Sequence, residues 1–123
     1  MPRSLRIVLA DDNPPLRFCV LDLLSPLGVD VPELDDGDQL QRLLAKAQFD
    51  LVITDVRMPG VQGVDVLRGR RAAGDCTPFV VMTGAPDELD DQLAGLGRVV
   101  VLGKPFTVEE LHSAVDRAIS SAA

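Results

Sequence analysis

Three aspartates follow two short apolar runs and could act together as a set of carboxylates. Asp11 and Asp12 come directly after Ile7–Ala10, and Asp55 closely follows Leu51–Ile53. Both runs are rich in β-branched residues and too short for buried helices, so we predict that they are strands. Carboxylates gathered at one edge of a sheet repel one another, and a bound cation usually stabilises them. Oxygen ligands without a nearby His or Cys favour Mg²⁺, with Mn²⁺ as the alternative, over zinc.

Two further polar side chains follow apolar runs. Thr83 comes directly after Phe79–Met82, and Lys104 comes soon after Val99–Leu102. We predict that these runs are also strands, whose ends lie at the same edge as the aspartates. A phosphoryl group on a carboxylate would need a hydroxyl, an ammonium and a divalent cation around it, because each hydrogen-bonds or neutralises one of its oxygens. The residue types therefore predict phosphoryl chemistry at this edge.

The segments between these runs have the periodicity of amphipathic helices. Apolar residues recur there at spacings of three and four, in five stripes. A further segment, Val29–Leu34, is half polar and contains a proline, which a central strand cannot accommodate, so we predict an edge strand there. The five stripes are Leu16, Cys19, Val20, Leu23, Leu24 and Leu27; Leu40, Leu43, Leu44 and Ala47; Val64 and Leu67; Leu89, Leu93 and Leu96; and Val108, Leu111, Val115, Ala118 and Ile119.

Polar residues and glycines mark the helix ends and surfaces. Asp87 is predicted to cap the fourth helix, and Thr107 with Glu110 is predicted to form a capping box at the start of the fifth. The glycines at predicted element ends are Gly28, Gly37, Gly74 and Gly97. The residues predicted to lie on solvated surfaces are Arg68, Arg70 and Arg71 of the third helix and, at a surface or boundary position, His112.

Strict alternation of five strands and five helices predicts a doubly wound α/β fold. Apolar strands that alternate with helices pair in parallel through right-handed crossovers, and the helices then cover both faces of the sheet. The chain has 123 residues, 46% of them hydrophobic, so we predict a single domain over residues 1–123. Ligands of such sheets bind beyond the carboxyl ends of the strands, where the winding direction reverses. The polar residues are predicted to meet at that edge.

Charge and hydropathy argue against several function classes. Nineteen acidic and twelve basic residues give a net charge of −7, which would repel a nucleic-acid backbone. No apolar run approaches the roughly 20 residues that a bilayer requires, so we expect no membrane insertion and a cytoplasmic location. Cys19 and Cys76 form no CxxC pair and predict neither a disulfide nor a zinc site. We expect Cys19 to be buried and Cys76 to lie in a loop, both reduced.

Four motifs occur in order at the predicted strand ends. They are Ala10-Asp11-Asp12, the block Asp55-Val56-Arg57-Met58-Pro59 with Gly63, Thr83, and Lys104-Pro105-Phe106. With these motifs the sequence resembles the receiver domain of two-component response regulators, the chemotaxis regulators among them, over essentially its whole length. The resemblance implies a flavodoxin-like three-layer sandwich whose parallel sheet has the strand order 2-1-3-4-5. The predicted edge strand agrees with that order.

The resemblance implies roles for the residues at the strand ends. Asp55 would be the nucleophile that takes a phosphoryl group from a histidine kinase or a histidine phosphotransfer protein. Asp12, Asp55 and the backbone carbonyl of Arg57 would hold Mg²⁺, while Asp11 would act through water or by orienting the metal. Lys104 would neutralise a phosphoryl oxygen.

Thr83 is the switch residue that the resemblance implies. It would move inward to hydrogen-bond the phosphoryl group, and a downstream protein or a fused output domain would respond to the change of shape. The chain would be a signalling switch, not an enzyme beyond its self-catalysed phosphoryl transfer and autodephosphorylation. The resemblance also implies a cis Lys104-Pro105 peptide bond. The native protein could be a single-domain regulator or part of a longer kinase or transcription factor.

Two features depart from the family pattern. The family places Tyr or Phe three positions before the lysine, where this chain has Val101. We therefore expect Thr83 and the helix Asp87–Leu96 to carry the switch without an aromatic gate. The positions that tune access of the hydrolytic water hold Arg57 and Ala85, and we expect Arg57 to screen the acyl phosphate.

Three other functions fit parts of the pattern. An aspartate-nucleophile phosphatase also uses a strand-end Asp with Mg²⁺, but it needs a second Asp two residues later, where this chain has Arg57. A flavin carrier of similar topology would want Gly, Ser and Thr in the loop after the first strand, which here holds acidic and proline residues. A receiver-like module that binds partners without phosphorylation would not need the complete set of site residues.

Overall fold

Strands and helices alternate strictly along the chain. The computed structural model describes residues 5–25, 31–93 and 95–120. The elements are β1 Ile7–Ala10, α1 Pro14–Leu24, β2 Glu33–Leu34, α2 Gly37–Lys46, β3 Leu51–Asp55, α3 Gly63–Ala72, β4 Phe79–Thr83, α4 Pro86–Leu93, β5 Val99–Gly103 and α5 Val108–Ser120. Leu27 and Gly28, together with residues 29–30 of the predicted edge strand, lie outside the described residues.

The five strands form one parallel sheet in the order β2-β1-β3-β4-β5, as predicted. The two-residue strand β2 lies at the edge and pairs with β1. Leu9 N–H donates to the Pro32 carbonyl, and Asp11 N–H donates to the Leu34 carbonyl, both at 3.0 Å. Pro32 thus precedes the strand and contributes only its carbonyl to the ladder, which is a position where proline is tolerated.

Helices cover both faces of the sheet because successive strand residues point to opposite sides. In β1, Ile7 and Leu9 pack in a cluster with residues of α1 and α5, whereas Val8 and Ala10 pack in a second cluster with residues of α2, α3 and α4. All four β1 side chains are fully buried. These two cores establish the doubly wound, three-layer arrangement. Among the described helices, none combines the length and apolar character needed to cross a membrane.

The capping residues predicted at the starts of α5 and α4 are confirmed for α5 and wrong for α4. The capping box of α5 is confirmed: Glu110 N–H donates to Thr107 Oγ1 at 3.0 Å, and Thr107 N–H donates to Glu110 Oε1 at 2.9 Å. The prediction that Asp87 caps α4 is wrong, since Leu89 N–H donates to the Ala85 carbonyl and the helix begins at Pro86. Proline suits the first helical position because its backbone angle is already helical and its missing N–H has no partner there.

The prediction of a buried Cys19 is also wrong. Cys19 is exposed, as is Cys76 in its loop, and both are free thiols. The residues of α1 that face the sheet are Val20 and Leu24. Cys19 lies on the flank of that face, next to Phe18, whose side chain is 59% exposed.

Arg71 is not the solvated side chain that its sequence context predicts. It is half-buried, and its guanidinium donates to main-chain carbonyls on both sides of β4 and lies 5.5 Å from the centre of the Phe79 ring. The carbonyls are those of Asp75, Thr77, Leu96, Gly97 and Arg98, at 2.8 to 3.3 Å. A planar group with five donors can serve several carbonyls at once. Arg71 therefore ties the loop after α3 to the loop after α4.

We predict that Arg71→Met lowers the free energy of unfolding by about 2–3 kcal/mol, because several carbonyls lose their donor. Denaturant unfolding followed by far-UV circular dichroism measures this, since the chain has neither Trp nor Tyr. Arg68→Met is the matched control: Arg68 donates to the Gln92 carbonyl, but its side chain is 45% exposed. We expect that control to change stability by less than about 1 kcal/mol. Equal losses in the two variants would contradict this role of Arg71.

Candidate functional site

Three carboxylates meet at the carboxyl ends of β1 and β3. Asp11 and Asp12 follow β1, and Asp55 is the last residue of the neighbouring strand β3. Each offers a carboxylate oxygen, and these oxygens lie within 4.8 Å of one another. The parallel pairing of β1 with β3 brings together the residues that the sequence separates by more than forty positions.

Asp11 is the fully buried member of this acidic cluster. Its Oδ1 accepts a hydrogen bond from Asn13 N–H at 2.9 Å, whereas its Oδ2 is buried without a hydrogen-bond partner among the described residues. Burial raises the pKa of Asp11, and repulsion from Asp55 and Asp12 adds to that effect. The Asn13 hydrogen bond and the charge of Lys104 act in the opposite direction. A partnerless carboxylate oxygen beside two further carboxylates fits a divalent cation.

Lys104 reaches the cluster from the end of β5. Its Nζ lies 2.8 Å from Asp55 Oδ2, and the two side chains are 27% and 13% exposed. Its backbone N–H donates to the Thr83 carbonyl at 2.7 Å, which holds it beside the end of β4. The Lys104-Pro105 peptide bond is cis, as the family resemblance implied.

Thr83 and Arg57 complete a pocket next to Asp55. The pocket has a volume of about 320 Å³ and is lined by Asp55, Val56, Arg57, Thr83, Gly84, Ala85 and Lys104. Thr83 is buried, and its Oγ1 accepts a hydrogen bond from Ala85 N–H at 3.0 Å. The hydroxyl proton can therefore be donated to a group in the pocket. Arg57 is exposed.

The loop between β3 and α3 is held close to Asp55 at both ends. Thr54 Oγ1 donates to the Asp55 carbonyl at 2.9 Å, and a Cβ at Gly63 would collide with that same carbonyl oxygen. At the other side, Gly37 N–H donates to the Pro59 carbonyl at 3.2 Å. A Cβ at Gly37 would also collide with the Val61 carbonyl oxygen, so only glycine permits the close approach at Gly63 and at Gly37. The loop carries the Arg57 carbonyl, so these contacts set its position.

Two residues near the acidic cluster were not identified from the sequence. Asn13 caps α1 and holds the Asp11 carboxylate with its N–H. The sequence did contain a signal for this role of Asn13, because Asn followed by Pro14 and Pro15 is typical of a helix start. Arg17 donates to the Asp11 carbonyl at 2.8 Å, a contact with main chain that leaves no pattern in the sequence.

We predict that Asp11→Asn raises the free energy of unfolding in chelator by about 1–2 kcal/mol at neutral pH. A neutral amide keeps an acceptor oxygen for Asn13 N–H and avoids the cost of burying a charge. Folding raises the pKa of Asp11 above its ordinary value of 3.8, so the wild type loses stability as the pH rises above that value. The advantage of the variant should therefore shrink as the pH falls towards 3.8.

Denaturant unfolding at several pH values measures this difference. Asp22→Asn, at an exposed position of α1, is the control and should change stability little. An Asp11→Asn variant that is less stable than the wild type at neutral pH would mean that the buried charge is already well compensated.

Comparison with known sequences agrees with this geometry. The chain matches the response regulator receiver domain family over residues 7–116. Chemotaxis protein CheY-3 of Vibrio cholerae is 33% identical over 119 residues, which cover 94% of this chain and 92% of that protein. Response regulator MprA of Mycolicibacterium vanbaalenii is 38% identical over 108 residues, which cover 86% of this chain but only 46% of MprA.

Solved structures show the same architecture. The signal receiver domain of an HD domain-containing protein from Pseudomonas fluorescens Pf-5 has a TM-score of 0.85 and 29% identity, covering 98% of this chain and 90% of that one. The receiver domain of a sensor histidine kinase from Pseudomonas aeruginosa, with a magnesium ion in its active site cleft, has a TM-score of 0.83 and 28% identity, covering 96% and 99%. Fold, motifs and matched span agree, and this chain belongs to the response regulator receiver domain family of two-component signal transduction.

Proposed function

We propose that this protein is a phosphorylation-dependent switch in which Asp55 accepts a phosphoryl group with the help of Mg²⁺ or, alternatively, Mn²⁺. One observation carries the proposal: the Asp55 carboxylate lies where the acidic cluster, the Lys104 ammonium and the pocket containing Thr83 meet. Each of these neighbours can take one part of the charge of a phosphoryl group. We further propose that residues 1–123 act as one receiver domain.

The cation would be held by Asp11, Asp12, Asp55 and the backbone carbonyl of Arg57. The buried Asp11 Oδ2, which lacks a partner among the described residues, supports this assignment because it needs a positive charge or a donor. When bound, the cation would supply positive charge to the phosphoryl oxygens during transfer. An all-oxygen ligand set favours a hard cation such as Mg²⁺.

The transfer step is a displacement at phosphorus. A carboxylate oxygen of Asp55 would attack the phosphorus of a phosphohistidine, the phosphorus–nitrogen bond would break, and the imidazole would leave. Lys104 Nζ, now 2.8 Å from Asp55 Oδ2, would turn to a phosphoryl oxygen as the carboxylate loses its charge. The Thr83 hydroxyl would donate a hydrogen bond to another phosphoryl oxygen.

A movement of Thr83 would carry the effect of phosphorylation from the pocket to the surface helix α4. Thr83 Oγ1 now accepts from Ala85 N–H, and the Ala85 carbonyl accepts the first hydrogen bond of α4. A Thr83 side chain that turns towards a phosphoryl group would release Ala85 and so disturb the start of α4. This route does not pass through Val101, which is half-buried in β5.

The partners follow from the chemistry of the site. A histidine kinase or a histidine phosphotransfer protein would be the donor, and a downstream protein or a fused output domain would respond. The relative MprA is about twice as long as the matched region, which is compatible with a fused output domain in proteins of this family. A net charge of −7 disfavours direct nucleic-acid binding. We propose a cytoplasmic location and no activity beyond self-catalysed phosphoryl transfer and autodephosphorylation.

Incubation with acetyl phosphate and Mg²⁺ is expected to add one phosphoryl group to the intact protein, and Asp55→Asn is expected to abolish the gain because an amide is not a nucleophile for this reaction. Intact-protein mass spectrometry with and without chelator measures it. Asp65→Asn, at an exposed position of α3, is the control and should be phosphorylated like the wild type. A gain that persists in Asp55→Asn would exclude this residue as the acceptor.

Arg57→Asn is expected to shorten the lifetime of the phosphorylated form by about tenfold, the loss of roughly one charge-assisted contact. Arg57 lines the pocket, and its long cationic side chain would hold a phosphoryl oxygen and cover the path of the attacking water. Arg57→Lys keeps charge and reach and should retain most of the lifetime. The decay of the phosphorylated mass after removal of the donor is the measurement, and equal lifetimes in all three proteins would remove this role of Arg57.

A further inference from the structure

Arg17 of α1 makes two contacts beside the acidic cluster that none of the roles above requires. Its Nη1 donates to the main-chain carbonyl of Asp11 at 2.8 Å, and its Nε pairs with Glu33 Oε1 of β2 at 3.3 Å. The Arg17 side chain is only 16% exposed and the Glu33 side chain 33%. The guanidinium thus bridges the residue after β1 to the neighbouring edge strand.

This contact completes the fixation of Asp11. The N–H of Asp11 donates to the Leu34 carbonyl, its carbonyl accepts from Arg17, and its Oδ1 accepts from Asn13 N–H. Its Oδ2 is the atom left buried without a partner among the described residues. The ladder between β1 and β2 ends at Asp11 N–H because β2 is two residues long. Arg17 therefore supplies the hydrogen bond that a longer strand would have supplied to the Asp11 carbonyl.

We propose that Arg17, oriented by Glu33, is a positioning residue for the cation site of the proposed function. It holds the backbone of Asp11 so that the Asp11 carboxylate offers an oxygen close to those of Asp12 and Asp55 before the cation arrives. Glu33 balances its positive charge, so Arg17 contributes geometry with little repulsion of the cation. Substitution of a group that orients a metal ligand in this way commonly weakens metal affinity about 10- to 100-fold.

Arg17→Lys separates geometry from charge. Lysine keeps the positive charge but lacks the planar fork that reaches a carbonyl and a carboxylate together. We expect its affinity for Mg²⁺, measured by calorimetric titration, to be about 10-fold weaker than that of the wild type. The unfolding midpoint in chelator should fall modestly, because lysine cannot serve the Asp11 carbonyl and Glu33 together, so the Mg²⁺ affinity of the folded protein is the deciding readout. A residue that only joins α1 to β2 would lower that midpoint and leave the Mg²⁺ affinity unchanged.

Arg68→Lys is the matched control. Arg68 also contacts one carboxylate, that of Asp65, and one main-chain carbonyl, that of Gln92, but on α3 and α4, away from the acidic cluster. Its Mg²⁺ affinity should equal that of the wild type. The double variant Arg17→Met/Glu33→Gln removes both charges and leaves the net charge unchanged, so the same weakening is expected from it. The double variant takes the place of Arg17→Lys in the titration if Arg17→Lys does not fold.

The outcomes separate this inference from the function on which it rests. A wild type that binds Mg²⁺, with Arg17→Lys or the double variant about 10-fold weaker and Arg68→Lys unchanged, supports the positioning role. A wild type that binds Mg²⁺ no more tightly than these Arg17 variants overturns it and leaves the proposed function standing. A wild type that binds no Mg²⁺ overturns the cation-dependent function and this inference together.

Discussion

Repulsion among three carboxylates is the interaction on which the rest of this structure depends. The parallel pairing of β1 with β3 gathers Asp11, Asp12 and Asp55 at one edge of the sheet, and Asp11 is fully buried there. Lys104, which follows a strand two places away from β3, forms an ion pair with Asp55, and a single positive charge does not balance three carboxylates. The remaining negative charge favours a cation, and in the proposed function that cation and Lys104 would together stabilise a phosphoryl group on Asp55. The proposed metal binding and the proposed phosphoryl acceptance would thus both depend on the excess negative charge of this cluster.

Contacts with the neighbouring main chain hold the carboxylates in a fixed geometry. Gly63 lets α3 approach the Asp55 carbonyl, and Thr54 donates a hydrogen bond to the same oxygen. On the β1 side, Asn13 and Arg17 hold the carboxylate and the carbonyl of Asp11. Carboxylates that would otherwise turn apart are held together because their backbones are anchored. The folding energy of the sheet and its helices offsets the cost of this arrangement.

The fold was well predicted from the sequence because the spacing of apolar residues and the residue types at the ends of strands and helices are local signals. Apolar runs marked β1, β3, β4 and β5, and a proline marked the edge strand β2. The polar residues that followed the apolar runs marked the strand ends where the carboxylates meet. Predictions failed where a long side chain or a helix rotation decided the outcome. Arg71 and Arg17 bind carbonyls from other elements, which a one-dimensional pattern does not record. Cys19 fell on the flank of its helix, a rotation too small for a periodicity argument to resolve.

We propose that the carboxylates at the ends of β1 and β3 form a single cation site, and an NMR titration of the isotope-labelled protein with Mg²⁺ tests this proposal most directly. A single site should give saturable shifts concentrated at the backbone amides of Asp11, Asp12, Asp55 and Arg57, with little change around Asp75 in the loop before β4. The absence of saturable shifts, or shifts centred away from the ends of β1 and β3, would contradict it.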